Sequence, residues 1–398
     1  MRLSTLSTAL LLPAIGFAQA PSPQPPGWFL EGRLRQETVE DRAFAKDADA
    51  LTLRLRGGHL AELGGNLRLL IEGEGTASLL DDFNSTRNGR TDRPMVADPD
   101  NLELNRAQIE WKPDERTRLT VGRQRLIYDN HRFVSANAWR QNEQTFDALD
   151  LEHERGALRL RYSYADRVQR IFGNRHPSRS LARWDLKAHL LHASVPLGPG
   201  RLALYAHFIE NETLPLTSHR NLGLRYTGER KFAGGALDAL QWSAEYARQD
   251  DHAGGSALIG ADYLLLELAL VRSGYRARLG YEVAGGDGRY AFQFPLGAGH
   301  PFFGWADRFV TVPPRGLVSP YLWIEGPIGL LPAGSRWTLG YHDFRPDQGG
   351  GRYGDEWNAQ LAVPFSPKLA AIFKYADYRA RGLATDTRKL WLALDFRL

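Results

Sequence analysis

The chain ends in strict alternation. Leu390, Leu392, Leu394, Phe396 and Leu398 share one parity, and Lys389, Trp391, Ala393, Asp395 and Arg397 share the other. A period of two residues marks a strand with one apolar and one polar face. The pattern recurs upstream. Leu51, Leu53 and Leu55 alternate with Thr52, Arg54 and Arg56, and Leu158, Leu160, Tyr162 and Tyr164 alternate with Arg159, Arg161 and Ser163. Eighteen such segments are expected, over residues 28-39, 50-58, 65-75, 103-112, 117-127, 145-154, 157-166, 184-196, 200-210, 219-228, 238-249, 260-270, 275-284, 317-325, 335-344, 355-363, 369-379 and 388-398. Most have the length, about 9–11 residues, that a tilted membrane strand needs.

The polar face carries Arg and Glu at too many successive positions for a dry core. The apolar face is Leu, Ala and Val, with aromatics near strand ends. These faces fit a wet, charged lumen inside and lipid outside. Connection lengths agree. The long ones, 76-102, 128-144, 167-183 and 285-316, all follow odd-numbered segments. Those after even segments are mostly tight, as at Arg155-Gly156, although 229-237 and 326-334 are of medium length. Short periplasmic turns alternating with longer outer loops characterise outer-membrane barrels. The expected fold class is all-β: an 18-stranded antiparallel transmembrane β-barrel, porin-like, after a cleaved signal peptide.

The first residues set the compartment. Arg2 precedes an apolar run, Leu10 to Phe17, and then Ala18-Gln19-Ala20. A basic start, a short apolar run and a small-x-small site make a secretory signal, and the run is too short for a helical span. The expected division is a signal peptide over 1-20, a Pro-rich tether over 21-26 and a barrel over 27-398. Cysteine is absent, which removes disulfides and thiolate metal sites. Lys and Arg together number 50, and only seven are Lys. Arginine forks onto carboxylates and phosphates, so this bias points to anionic ligands or to many internal carboxylate partners. Acids are interleaved with the arginines and no basic block occurs, which argues against nucleic acid.

The densest stretch runs from 97 to 152. It contains Gly122-Arg123-Gln124, Arg132-Phe133-Val134, Trp139-Arg140-Gln141-Asn142 and Gln144-Thr145-Phe146-Asp147. Taken together, this string resembles the alginate-export family of outer-membrane barrels. The resemblance implies an 18-stranded barrel and a passive channel, with an Arg-lined, electropositive constriction for a polyuronate. The family's characterised exporter departs from this string, so its pore residues are not carried over.

The residues themselves also favour an anion path. Arg33, Arg35, Arg54, Arg56, Arg68, Arg106, Arg159 and Arg161 are expected on lumen faces of early strands, as a basic ladder. Arg123, Arg125, Arg132 and Arg140 lie at or beside 128-144, which is expected to fold inward as a constriction. Glu31, Glu72, Glu74, Glu110 and Asp147 are candidate partners for these cations, with Asp147 counted among the pore residues. The plainer alternative is that such pairs only brace the barrel interior.

Other constellations are weaker. Asp81, Asp82, Asp98 and Asp100 flank an outer loop without the spacing of a calcium loop. His189 and His192 are three apart and so face opposite sides of a strand, which disfavours a metal site with His207. No nucleophile signature is present, so no enzyme and no cofactor is expected. Three functions remain: a channel for alginate-like or other anionic solutes, a general or substrate-specific porin for uptake, and a structural or adhesion barrel with a plugged pore. The expected partners are outer-membrane lipid and lipopolysaccharide, the anionic solute and, under export, a periplasmic secretion partner. A monomer is expected.

Overall fold

The structure, a computed structural model, describes residues 26–398. The expected signal peptide and nearly all of the tether lie outside the described residues. Eighteen strands follow one another: β1 (Gly27–Asp41), β2 (Ala48–Gly64), β3 (Leu67–Asp82), β4 (Asn101–Asp114), β5 (Thr117–Gln124), β6 (Thr145–Arg155), β7 (Leu158–Gln169), β8 (Arg183–Leu197) and β9 (Gly200–Asn211). The second half comprises β10 (His219–Lys231), β11 (Ala239–Asp251), β12 (Gly260–Arg272), β13 (Tyr275–Ala284), β14 (Leu317–Pro327), β15 (Arg336–Phe344), β16 (Gly354–Ser366), β17 (Leu369–Ala380) and β18 (Thr387–Arg397). Each strand pairs antiparallel with its sequence neighbours. β1 also pairs with β18, from Glu31↔Arg397 to Asp41↔Thr387, which closes the barrel. Closure leaves no unpaired strand edge, which is what lets a sheet cross hydrocarbon. No described helix is long and apolar enough to cross a membrane.

The expected eighteen-stranded barrel is borne out, and β13 spans the expected residues. The largest boundary difference is at β3, which runs to Asp82 rather than ending near 75. Its register with β2 passes from Leu51↔Leu80 to Thr52↔Ser78, which leaves Leu79 as an extra residue. That bulge reverses the parity and hides the period from the sequence. The outer connection is therefore 83–100. β5 is shorter than expected because the chain leaves the wall after Gln124 and turns inward.

Outward positions form a continuous apolar belt that includes Leu55, Ile71, Leu160, Leu204, Leu268, Leu322 and Leu392, all exposed. A patch this extensive has no place in water and fits lipid. Trp28, Trp111, Tyr275 and Phe365 are exposed at the end with the short turns and the termini. Two inward pairs show why certain glycines are needed. Gly280 lies opposite Tyr321, and a Cβ at Gly280 would sit 2.0 Å from Tyr321 Cζ. The bare glycine lets the ring lie flat across β13, so that its hydroxyl donates to Glu267 at 2.7 Å. Gly223 does the same for Tyr205, whose hydroxyl donates to Glu245 at 2.9 Å.

The lumen is not wet throughout, contrary to the expectation from strand faces alone. The connections 125–144 and 285–316 fold into its outer half. Val134, Phe292, Trp305 and Phe309 pack there against inward Tyr263, Phe344, Tyr378 and Trp391 in one buried cluster. The wall here offers Ala, Leu and aromatics to the apolar faces of the loops, and buried Glu282, Glu356, Asn358 and Lys374 to their polar groups.

Candidate functional site

The charged wall is built by alternation on β1 to β4. Arg33 and Arg35, and Arg54 and Arg56, point inward as every second residue of their strands, and Arg33 stands directly opposite Arg54. Like charges at this spacing repel unless acids intervene. Arg33 Nε donates to Asp395 at 2.7 Å. Arg56 binds Glu74 and lies 3.3 Å from Glu143. Arg54 has Glu31 at 3.8 Å. Arg106 is brought inward by a register shift beside Asn105, and it donates to Glu72 at 2.8 Å. Asn105 Nδ2 bridges Glu72 and Glu143 at 2.7 Å each.

The loop 125–144 is fastened to this wall. Trp139 carbonyl oxygen accepts from Arg33 and Arg35, and Asp98 accepts from Arg35 and from the Gln141 amide. Arg125 donates to Glu143 at 2.7 Å. Burial alone would raise the Glu143 carboxyl, but Arg125, Arg56 and Arg106 hold it well below the ordinary value. Further along the wall, on β6 and β7, Arg161 Nε donates to Asp150 at 2.8 Å while its Nη1 donates to the Ile127 carbonyl at 2.7 Å. The loop is thus tied to two stretches of the wall.

A second fastening joins the loops to each other. Asp307 accepts from Arg140 and from Lys389, each at 2.9 Å, and from His300 at 2.9 Å. Lys374 Nζ lies 4.0 Å from the Trp139 ring centre and 3.9 Å from that of Trp305, a close cation–π arrangement. Burial would raise Asp307, but Lys389, His300 and Arg140 hold it well below the usual carboxylate range.

The sequence-derived candidates therefore separate by place. Arg33, Arg35, Arg54, Arg56, Arg106, Arg125 and Arg161 stand on the lumen wall or its loop. Arg68 and Arg159 stand at the periplasmic end with Glu62 and Glu154. Three candidates need correction. Arg132 is enclosed between the loops, with its guanidinium 3.5 Å from the Phe294 ring centre and 2.8 Å from Glu282. Glu282 and the surrounding rings, not solute, take up its charge. Arg123 and Asp147 share the outward row with Ala107 and Arg167, and they pair with each other at 2.7 Å. Their parity follows Leu119 and Val121, which face lipid.

All five acids expected as partners do take arginines: Glu31, Glu72, Glu74, Glu110 and Asp147. The loop aspartates are likewise engaged: Asp81 and Asp82 with Arg90, Asp98 with Arg35, and Asp100 with the Ser78 amide. The opposite wall went unselected in the sequence. It holds Arg225 with Glu245, and Arg278 with Glu267 at 2.9 Å. Their inward parity was the available signal.

One arrangement recurs. Glu72, Glu143 and Asp150 are buried behind their partners, with 0, 0 and 5% of the side chain exposed, whereas Arg106, Arg125 and Arg161 keep 11, 13 and 20%. The acids sit at the back and the guanidiniums in front.

Among solved structures, OpdL of Pseudomonas aeruginosa is 18% identical, with 94% of this chain and 98% of that chain covered at a TM-score of 0.68. OccAB4 of Acinetobacter baumannii is 14% identical, with 95% and 99% covered at 0.70. OpdK of Pseudomonas aeruginosa, solved with vanillate, is 15% identical, with 93% and 98% covered at 0.69. At such identities the likeness concerns the fold. No curated protein sequence matches the chain. The family model described as alginate export matches residues 30–308, well over half of the chain, and this outer-membrane barrel belongs to the alginate export family.

Proposed function

We propose that this porin-like barrel is a passive channel for anionic solutes, alginate-like polyuronates among them, which move along the arginine wall past the loop 125–144. The observation that carries this reading is the layering of buried acids behind more exposed arginines at Arg106, Arg125 and Arg161. A carboxylate passing through meets guanidinium N–H groups first. The acids behind weaken the site enough to release it, and conduction requires both capture and release. The planar fork of arginine matches carboxylate geometry. No chemical step and no cofactor enters this mechanism.

Uptake of smaller carboxylates would use the same wall, and a fold neighbour was solved with one such carboxylate, vanillate. A plugged, structural barrel is favoured by a different observation, the dry core that the two loops build around Trp305 and Phe309. Single-channel conductance in a planar bilayer under a salt gradient, followed by added oligouronate, separates these readings. An anion-selective current blocked by oligouronate is expected. Cation selectivity would overturn the proposal, and silence at all voltages would favour the plug.

A further inference from the structure

The two rims of the barrel differ. The periplasmic rim presents exposed aromatics, among them Trp28, Trp111 and Phe365. The outer rim presents ion pairs on lipid-side positions, directly above the apolar belt. On β15 to β18, Asp343 stands opposite Asp355, Asp355 opposite Arg379, and Asp377 opposite both Trp357 and Arg388. Trp357 is exposed to lipid, which fixes this face as the outer one.

These pairs are lopsided in exposure. Asp343, Asp355 and Asp377 keep 10 to 14% of their side chains exposed, while Arg345, Arg352, Arg379, Arg381 and Arg388 keep 42 to 58%. Arg352 lies 2.7 Å from Asp343 and 3.7 Å from Asp355, and Arg381 lies 3.6 Å from Asp355. The acids anchor the arginines from beneath, and each guanidinium has five N–H donors, of which an acid uses one or two. The remaining donors belong to side chains that stay 42 to 58% exposed at the outer end of the apolar belt. A second cluster has the same form: Arg167 and Arg179 both bond Asp185, with Arg183 at 3.9 Å.

We propose that these outer-rim arginine clusters dock the phosphate groups of a phosphorylated glycolipid of the outer leaflet, lipid A in chemical terms. Charge complementarity carries the choice of occupant. Five exposed arginines rest on Asp343, Asp355 and Asp377, with Glu40 also beside Arg388 at 3.4 Å, and guanidinium forks match phosphate oxygens bidentately. A lipid is favoured over a soluble phosphate because the clusters adjoin the apolar belt, so acyl chains and phosphates are met together. This inference does not rest on the channel reading.

The test uses the refolded full chain in detergent, with lipid binding followed by native mass spectrometry. The probes are bis-phosphorylated lipid A, its dephosphorylated form with the same acyl chains, and inorganic pyrophosphate. The chain is expected to prefer the phosphorylated lipid. Arg352→Gln, Arg379→Gln and Arg381→Gln combined should weaken it by roughly fivefold per arginine at low salt. Heat-modifiable migration checks that the variant is folded. If it is not, Arg381→Gln alone should still show about a fivefold loss. Equal binding of both lipids, or an unchanged variant, overturns the proposal. Displacement of lipid A by equimolar pyrophosphate also overturns it, in favour of a soluble-phosphate site.

Discussion

Lys374 Nζ lies 2.8 Å from His300 Nε2, which joins β17 to the infolded loop 285–316. His300 Nδ1 meets the Asp307 carboxylate at 2.9 Å, so Nδ1 carries the proton and Nε2 accepts from Lys374 Nζ. Burial, and then the Lys374 charge, push His300 down to about 3 from its ordinary 6.5. A group whose pKa falls on docking contributes its stabilisation above the ordinary value. That contribution is lost as pH falls from 6.5 towards about 3. Acid therefore favours the undocked loop. The protection factors of amides in 285–316, each corrected for the intrinsic exchange rate at that pH, should fall by up to about tenfold per pH unit below 6.5, and His300→Gln should flatten the profile. Protection factors that stay constant down to pH ~4.5 would remove His300 from the fastening.

Asp307 gathers Arg140, Lys389 and His300 at one carboxylate. Asp307→Asn removes the carboxylate that faces enclosed Lys389 and the nearer of two that face Arg140, which keeps Glu37 at 3.8 Å. Removing one partner of a buried pair costs about 3–5 kcal/mol. The loops should loosen, with a lower unfolding midpoint and a larger or noisier open conductance. A variant that matches the parent in both measurements would show that the fastening is dispensable.

Anion preference should depend on where an arginine stands. Arg106→Gln, Arg125→Gln and Arg161→Gln combined should move the reversal potential towards cations in a salt gradient. Arg123→Gln should leave it unchanged, because Arg123 faces outward with Asp147. The reverse result, with Arg123 controlling selectivity, would contradict the assignment of the faces.

Gly280→Ala places a methyl group where the Tyr321 ring lies. The ring must move, and its hydrogen bond to Glu267 is lost. Overpacking of this kind costs about 1–3 kcal/mol. Thermal unfolding followed by heat-modifiable gel migration should show a lower midpoint. Gly350→Ala, with open space around it but φ +64°, should cost less.

The barrel was legible in the sequence because lipid and lumen lie on opposite faces of every strand, and this writes a period of two into residues such as Leu53, Arg54, Leu55 and Arg56. The strand count and the inward arginines of β1 and β2 follow from that period, and the antiparallel order from the short connections between consecutive segments. Where a bulge inserts one residue, as at Leu79, the period breaks and the boundary is lost. The outward place of Arg123 was written in the same alternation, through Leu119 and Val121, but its closeness to the loop drew it to the pore. What only the tertiary structure decided is how the lumen is filled. Arg140 and Asp307 are 167 residues apart, and Arg132 reaches the Ala298 carbonyl 166 residues away. Loops have no periodicity to report which wall they meet. Their docking depends on apolar faces and charges that become neighbours only after the barrel has closed.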